Sequence, residues 1–180
     1  MTVFRCALGL VFLLALGACA SLTEAQCRDG NWEAIGQADG AAGRSADVLA
    51  AHQSACAEVG ITPDAARWSQ GRALGLQQYC TLERAYALGR QGRAIAPVCS
   101  TQARLAMAPA HAEGLKYHEL TLRIKDLRNR RALLIDELED LVEHAGTDRA
   151  RQRARELRRR IRLLDQRLRR LERRRLASDF

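Results

Sequence analysis

Apolar residues in the last third of the chain recur every seven positions, which is typical of helices that pack in a coiled coil. From position 117 they fill two positions of the heptad. These are Tyr117, Ile124 and Leu138 at one position and Leu120, Leu127, Leu134 and Leu141 at the other, with Arg131 interrupting the first. The pattern predicts a long amphipathic helix that starts near residue 117.

A second apolar seam follows in a shifted phase. It comprises Ala154, Ile161 and Leu168 at one position and Ala150, Leu157, Leu164 and Leu171 at the other. The shift falls across residues 145–148, where Gly146 suits a helix C-terminus and Thr147 or Asp148 an N-cap. We therefore predict two antiparallel helices, with acidic residues of the first (136–143) facing the arginine-rich start of the second; one continuous helix is the alternative.

Between residues 27 and 99 the chain carries start and stop signals for short helices. Gly60 suits a position just past one helix, Thr62 followed by Pro63 an N-cap and a first helical residue, and Thr81 another N-cap. We predict four helices near residues 31–43, 46–59, 63–79 and 82–94.

An aromatic residue followed by spaced glycines recurs three times in these helices. The sets are Trp32 with Gly36, Gly40 and Gly43, Trp68 with Gly71 and Gly75, and Tyr86 with Gly89 and Gly92. Glycines four residues apart share one helix face, where two backbones can approach closely. Each mid-helix glycine costs about 1 kcal/mol relative to alanine, so we expect close helix packing to offset that cost. A phosphate-binding loop requires a strand before its glycines, and the sequence predicts no strand there. We therefore predict no cofactor.

The N-terminus has the layout of an export signal. A short basic start precedes an apolar run over residues 6–16, which is too short to span a bilayer comfortably, and small residues follow. Leu16-Gly17-Ala18-Cys19 resembles the lipobox of bacterial lipoproteins. The resemblance implies a signal peptide over residues 1–18 and lipidation of Cys19, and Ala20 after it implies an outer-membrane address facing the periplasm. The alternatives are a secreted protein and an uncleaved anchor.

Four cysteines then remain in the mature domain. Cys27, Cys56, Cys80 and Cys99 form an even set in an exported chain, which indicates two disulfides with three possible pairings. We favour Cys27 with Cys56 and Cys80 with Cys99, because sequential pairing closes loops worth roughly 3 to 4 kcal/mol each. Zinc-knuckle spacing is absent and the histidines are scattered, so we predict no metal site.

These elements predict an all-α protein. Aromatic residues make up 4% of the chain, and alanine, leucine and arginine dominate over the residue types that favour strands. We predict a disulfide-stapled bundle of short glycine-punctuated helices over residues 19–100, a linker or helix start over 101–116, and a basic helical hairpin or coiled coil over 117–180.

The cysteine, aromatic and glycine spacing resembles a family of bacterial lipoproteins known as domain of unknown function 2799. The resemblance covers about residues 20–100. It is carried by Cys27-Arg28-Asp29-Gly30-Asn31-Trp32, Ile35-Gly36, Asp39-Gly40, Gly43, His52, Cys56, Thr62-Pro63-Asp64, Gly71, Gly75-Leu76 and Tyr79-Cys80. Asn31 departs from the aspartate expected before the tryptophan. The resemblance supports fold and location, and it implies no activity.

The positive charge is concentrated at the end of the chain. Residues 148–180 hold 14 arginines and 5 acidic residues, whereas residues 1–115 are neutral. Guanidinium groups bind phosphates and carboxylates through paired donors, so a cluster of them predicts an anionic partner. The predicted binding residues are Arg158, Arg159, Arg160, Arg162, Arg169, Arg170, Arg173 and Arg174.

These features together favour a non-catalytic lipoprotein, held in the membrane by its lipid. Its tail would bind lipopolysaccharide, anionic lipid or peptidoglycan, or associate with a second copy; nucleic acid is not expected in that compartment. One alternative is an envelope enzyme acting on cell-wall material with Asp39 or His52 as the reactive group, although no acid and base pair can be identified. Another is an arginine-rich RNA-binding protein, which requires the signal to be inert.

Overall fold

The computed structural model describes residues 21–143 and 146–178, and within them it contains seven α-helices and no strand. The helices are α1 (Glu24–Asp29), α2 (Trp32–Ala41), α3 (Val48–Ala57), α4 (Ala65–Tyr79), α5 (Leu82–Arg90), α6 (Thr101–Glu143) and α7 (Asp148–Ala177). The all-α prediction is confirmed. The predicted signal peptide and Cys19 lie outside the described residues.

The four predicted short helices are present, with ends that differ by a few residues. Gly43, Gly60 and Gly92 have φ values near +70°, a left-handed conformation that ends a helix. The predicted N-cap Thr62 is wrong, because the Asp64 side chain accepts from the backbone N–H groups of the next helix at 3.0 Å. Helix α1 was not predicted, since six residues are too few to show a period.

The chain forms two compact units. The first comprises the residues up to Thr81 together with Ala96–Thr101, and the second comprises Leu82–Ile95 and Gln102–Phe180. Helix α5, which sequence analysis grouped with the disulfide-stapled bundle, belongs to the second unit. Helix α6 runs without interruption from Thr101, through the residues predicted as a linker or helix start.

Glycines bring α2 and α4 into backbone contact in the first unit. A Cβ atom placed on Gly36 would lie 2.0 Å from the carbonyl oxygen of Trp68, and one on Gly71 would lie 1.9 Å from that of Glu33. Gly40 and Gly75 repeat the arrangement one turn further along. The prediction that spaced glycines permit close helix packing is confirmed.

Two disulfides fasten the first unit. Cys27 of α1 is bonded to Cys56 of α3, and Cys80 is bonded to Cys99. This is the sequential pairing that the loop-closure argument favoured. Cys27 and Cys56 are buried in a core with Trp32, Trp68 and Leu22. The core therefore includes Leu22, which lies at the start of the described part of the chain.

A glycine pair also joins α5 to α6 in the second unit. A Cβ atom on Gly89 would lie 2.3 Å from the carbonyl oxygen of His111, and one on Gly114 would lie 2.3 Å from that of Tyr86. The third aromatic and glycine set thus packs against a glycine that the sequence pattern did not single out. This contact explains why α5 belongs with the long helices.

Helices α6 and α7 pack as the predicted antiparallel pair. Ile124 and Leu127 of α6 pack with Leu168 of α7, and Leu164 and Leu171 join them. Thr147 is the N-cap of α7 and accepts from the Ala150 N–H at 3.2 Å. The hairpin alternative is therefore the observed one.

Ion pairs across the hairpin agree with the antiparallel register. They join Arg128 to Glu172, Arg131 to Asp165 and Arg153 to Glu137 at 2.6 to 2.7 Å. Arg131, which interrupts the heptad, is therefore matched by an acidic residue across the seam. The hydrogen bond with Glu137 and its negative charge raise the pKa of the Arg153 guanidinium above its usual range.

Candidate functional sites

A buried polar cluster lies where α2, α3 and α4 meet. Asp39 of α2 is 4% exposed, and its Oδ2 atom lies 2.8 Å from Nε2 of His52 and 2.8 Å from Nε1 of Trp68. Its Oδ1 atom accepts from the Arg44 guanidinium at 3.2 Å. One carboxylate thus receives donors from three parts of the first unit.

The glycine contact positions these groups. Asp39 precedes Gly40, so it lies beside the line along which α2 and α4 touch, and Trp68 lies at the same crossing on α4. Helix α3, bonded to α1 through the Cys27–Cys56 disulfide, supplies His52. Asp39 lies in the last turn of α2, and its side chain is buried.

The cluster continues to the first described residue. Nδ1 of His52 lies 2.9 Å from Oγ of Ser21, which completes a chain of hydroxyl, imidazole and carboxylate. Because the carboxylate accepts from Nε2–H, Nδ1 of His52 accepts a hydrogen bond from the Ser21 hydroxyl. The order of groups is that of a nucleophilic triad.

The surroundings of this chain of groups favour a structural role. The His52 side chain is completely buried, and both its ring nitrogens are already engaged. The Asp39 carboxylate is shared with Trp68 and Arg44 as well. In a catalytic triad the imidazole must also pass the proton taken from the hydroxyl to the leaving group of the substrate, and a fully buried ring gives the substrate no approach. The cluster joins three helices and the start of the described chain.

Asp39 and His52 were both named as candidates from the sequence, but their contact was not predicted. Thirteen residues separate them, and they lie on different helices. The available signal was the position of Asp39 three residues after Gly36, which places it on the side of α2 that carries this glycine. A carboxylate beside a close backbone contact is buried and requires donors.

The eight predicted anion-binding arginines of α7 are all exposed. Arg160 forms an ion pair with Glu156 at 3.8 Å. The other seven form no hydrogen bond or ion pair with any residue that the structure describes. Exposed pairs of this kind contribute roughly 0 to 1 kcal/mol. The guanidinium groups are available to a partner.

Five arginines form a line along one side of α7. Positions three, four or seven residues apart lie on the same helix face. These residues, called the arginine stripe here, are Arg155, Arg158, Arg162, Arg169 and Arg173. At 1.5 Å per residue the stripe is about 27 Å long. None of the five has an ion pair within the described part of the chain.

A groove lies on another side of the hairpin. Leu133, Leu134, Leu163 and Leu164 form its floor, Arg130, Arg160 and Arg167 flank it, and its volume is about 490 Å³. The structure therefore divides the predicted arginines. Arg158, Arg162, Arg169 and Arg173 belong to the stripe, whereas Arg160 belongs to the groove.

Two kinds of feature are absent from the part of the chain that the structure describes. Across 21–143 and 146–178, no three histidine, cysteine or acidic side chains are grouped as metal ligands would be. Over the same residues, no helix has both the length and the apolar character needed to cross a membrane.

Fold and sites define a disulfide-stapled helical domain extended by a basic two-helix hairpin. Residues 31–116 match the sequence model of a family described as "Protein of unknown function (DUF2799)", and this part of the chain belongs to that family. The match covers α2 to α5 and the first part of α6, and it ends just after the Gly89–Gly114 contact. No curated protein and no solved structure matches the chain.

Proposed function

We propose that this protein is an outer-membrane lipoprotein, anchored through Cys19 and facing the periplasm, whose hairpin binds an anionic component of the envelope. The arginine stripe is the observation that carries the proposal. Five exposed guanidinium groups that have no ion pair with the residues the structure describes lie along about 27 Å of helix, and together they create a field that attracts a polyanion. Most of the hairpin lies beyond the residues that match the family.

The disulfides support export. Both form within short sequence separations of 29 and 19 residues, and Cys27, Cys56 and Cys99 are buried. Disulfides of this structural kind persist in oxidising compartments and are rare in the cytosol. A periplasmic location agrees with this chemistry and disfavours the RNA-binding alternative.

The spacing of the stripe favours an extended partner over a single small anion. Neighbouring arginines three or four residues apart are separated by about 5 to 6 Å along the helix axis. A partner with repeated phosphates or carboxylates engages several of them together. Lipopolysaccharide, an anionic lipid surface and peptidoglycan all provide such groups.

Self-association through the stripe is the other arrangement that sequence analysis left open. Two stripes placed face to face would bring like charges together, which costs free energy. The anionic partner is therefore the preferred proposal.

We also propose that the protein is not an enzyme. The one triad-like arrangement described above has a completely buried imidazole with both nitrogens engaged. The enzyme alternative predicts turnover of cell-wall material that depends on Asp39.

Intact mass and fractionation of the natively expressed protein test the anchor. We expect cleavage before Cys19, an added diacylglycerol and acyl mass, recovery with the outer membrane, and no alkylation of Cys27, Cys56, Cys80 or Cys99 after unfolding. An unprocessed soluble protein with free thiols would overturn the anchor and make the RNA-binding alternative the leading one.

Replacing four stripe residues tests the partner. The variant Arg158→Gln, Arg162→Gln, Arg169→Gln, Arg173→Gln is expected to bind lipopolysaccharide, phosphatidylglycerol micelles or soluble peptidoglycan strands about tenfold or more weakly, because ion-pair contacts are lost. The full-length protein in neutral detergent is titrated with each, at low and at high salt. Wild-type affinity should fall with salt, and the variant should depend on salt less.

A matched control removes four charges elsewhere. Arg28, Arg67, Arg93 and Arg104 are exposed, and their replacement with glutamine makes the same change in net charge. We expect this control to retain most of the wild-type affinity. Equal losses in both variants would show that net charge acts alone, and no loss in the stripe variant would reject the stripe as the binding surface.

A further inference from the structure

The hairpin exposes two leucines that its own seam does not use. Leu133 is 68% exposed and Leu163 is 55% exposed. Each precedes a leucine of the seam, Leu134 or Leu164, and is therefore turned about 100° around the helix from it. Two helices can bury only the seam between them, so Leu133 of α6 and Leu163 of α7 remain outside it.

Leu133 and Leu163 lie on the same side of the hairpin. Leu133 and Leu163 line the same groove, with Arg130, Arg160 and Arg167 beside them. A neighbouring depression shares Arg130 and Arg167 and adds Arg123, Asp126, Leu127 and Leu171 to its lining. Asp126 pairs with Arg130 at 3.0 Å, so Arg123, Arg160 and Arg167 leave the lining with a net positive charge. Together the two depressions follow α7 from position 160 to position 171, which is about 16 Å or three helical turns.

We propose that this groove binds an acidic amphipathic helix of another protein. A helix lies in such a groove with its apolar residues on the leucine floor, and its length per turn matches the spacing of the lining residues. The flanking arginines then face the residues on either side of the partner's apolar line. Aspartate or glutamate at those positions gives charge complementarity, which selects the partner and its orientation.

A second copy of the chain fits the groove less well. The same face of another hairpin would place Arg130, Arg160 and Arg167 against identical cations, and like charges at an interface are unfavourable. A single anionic amphiphile would fill part of the groove and leave the rest of its three turns uncovered. The partner helix covers the whole length.

The groove is distinct from the arginine stripe. Arg160 and Arg167 lie about half a turn around α7 from Arg158 and Arg169. The inference therefore depends neither on the anionic envelope partner nor on lipidation of Cys19, and the two surfaces can be altered separately.

Fluorescence anisotropy with a synthetic peptide tests the groove. The probe is an acidic helix of about four turns with leucine in an i, i+3, i+7 pattern and glutamate on both sides, and the full-length protein is kept in neutral detergent. We expect saturable 1:1 binding. The variant Leu133→Ser, Leu163→Ser should bind about tenfold or more weakly, because both changes remove apolar contact at the centre of the groove.

Two control variants separate the groove from other surfaces. Leu105 and Leu176 are 72% and 68% exposed, and they do not line the groove, so replacing both with serine should leave peptide affinity unchanged. The stripe variant should retain peptide binding, whereas Arg160→Gln, Arg167→Gln should weaken it and reduce its salt dependence. Circular dichroism verifies that each variant keeps its helices.

Several outcomes would overturn the proposal. One is equal binding of a peptide of the same composition in scrambled order, and another is unchanged affinity in the Leu133→Ser, Leu163→Ser variant. A dimer in sedimentation that this variant abolishes without peptide would show a second copy in the groove. Displacement of the peptide by phosphatidylglycerol micelles but not by unlabelled peptide would identify an amphiphile site.

Discussion

Replacing Gly71 with alanine is expected to destabilise the first unit by more than about 3 kcal/mol, at or beyond the usual cost of overpacking a core. The new Cβ atom would lie 1.9 Å from the carbonyl oxygen of Glu33 and 3.0 Å from the backbone nitrogen of Gln37. Both obstacles are backbone atoms of α2, so the two helices must separate. Urea denaturation followed by circular dichroism measures the loss.

Gly60→Ala is the matched control for this substitution. Gly60 has φ +71°, and no atom of the described residues lies within 4 Å of an added Cβ atom, so alanine there meets backbone strain without a clash. We expect a cost of about 1 to 2 kcal/mol from the left-handed conformation. If Gly71→Ala costs no more than Gly60→Ala, α2 and α4 are not in backbone contact.

Replacing Asp39 with alanine is expected to cost about 2 to 6 kcal/mol, because two buried donors lose their acceptor at about 1 to 3 kcal/mol each. The change leaves the Trp68 indole N–H and the proton on Nε2 of His52 buried without their acceptor. Asp39→Asn keeps one acceptor oxygen and should cost less. Denaturation at neutral pH, read by tryptophan fluorescence, compares the three proteins.

The control and the catalytic test use the same set of proteins. Asp47 is exposed and accepts from the Ser45 hydroxyl, so Asp47→Ala should cost about 1 kcal/mol or less. Wild-type protein and folded Asp39→Asn are then incubated with cell-wall fragments. We expect no release of product from either. Turnover by the wild type that disappears in Asp39→Asn would overturn the non-catalytic proposal.

The parts of the fold that follow from local spacing were predictable. The seam leucines are buried or half-buried as the heptad requires, and the Gly36 and Gly71 faces meet. The disulfide pairing followed from loop length. Each of these features is set by separations within one helix or one short loop, which the sequence displays directly.

Contacts between distant residues were not predictable from the same patterns. Gly114 has no aromatic and glycine set around it, so its contact with Gly89 left no local signal, and α5 was grouped with the wrong neighbours. The meeting of Asp39 with His52 likewise depends on how three helices pack. Charge patterning favoured acids of α6 facing arginines of α7, yet Arg128 and Arg131 of α6 pair with acids of α7 as well.

Helix α6 has different contacts before and after the end of the family match at residue 116. Residues up to 116 include the glycine contact with α5, and the ion pairs and seam described for the hairpin lie after it. The stripe and the groove therefore belong to the part of the chain beyond the shared domain. Functional variants should be sought there first, and stability variants in the shared domain.

The burial of Leu22 has a consequence for how the protein is tethered. Leu22 is packed in the core and Ser21 is hydrogen-bonded to His52, so the chain is fixed to the first unit from residue 21. If Cys19 carries the lipid, as proposed, the two residues from Cys19 to Ser21 can span at most about 7 Å. A connection of that length keeps the first unit from moving away from the bilayer. The first unit would therefore lie against the lipid headgroups.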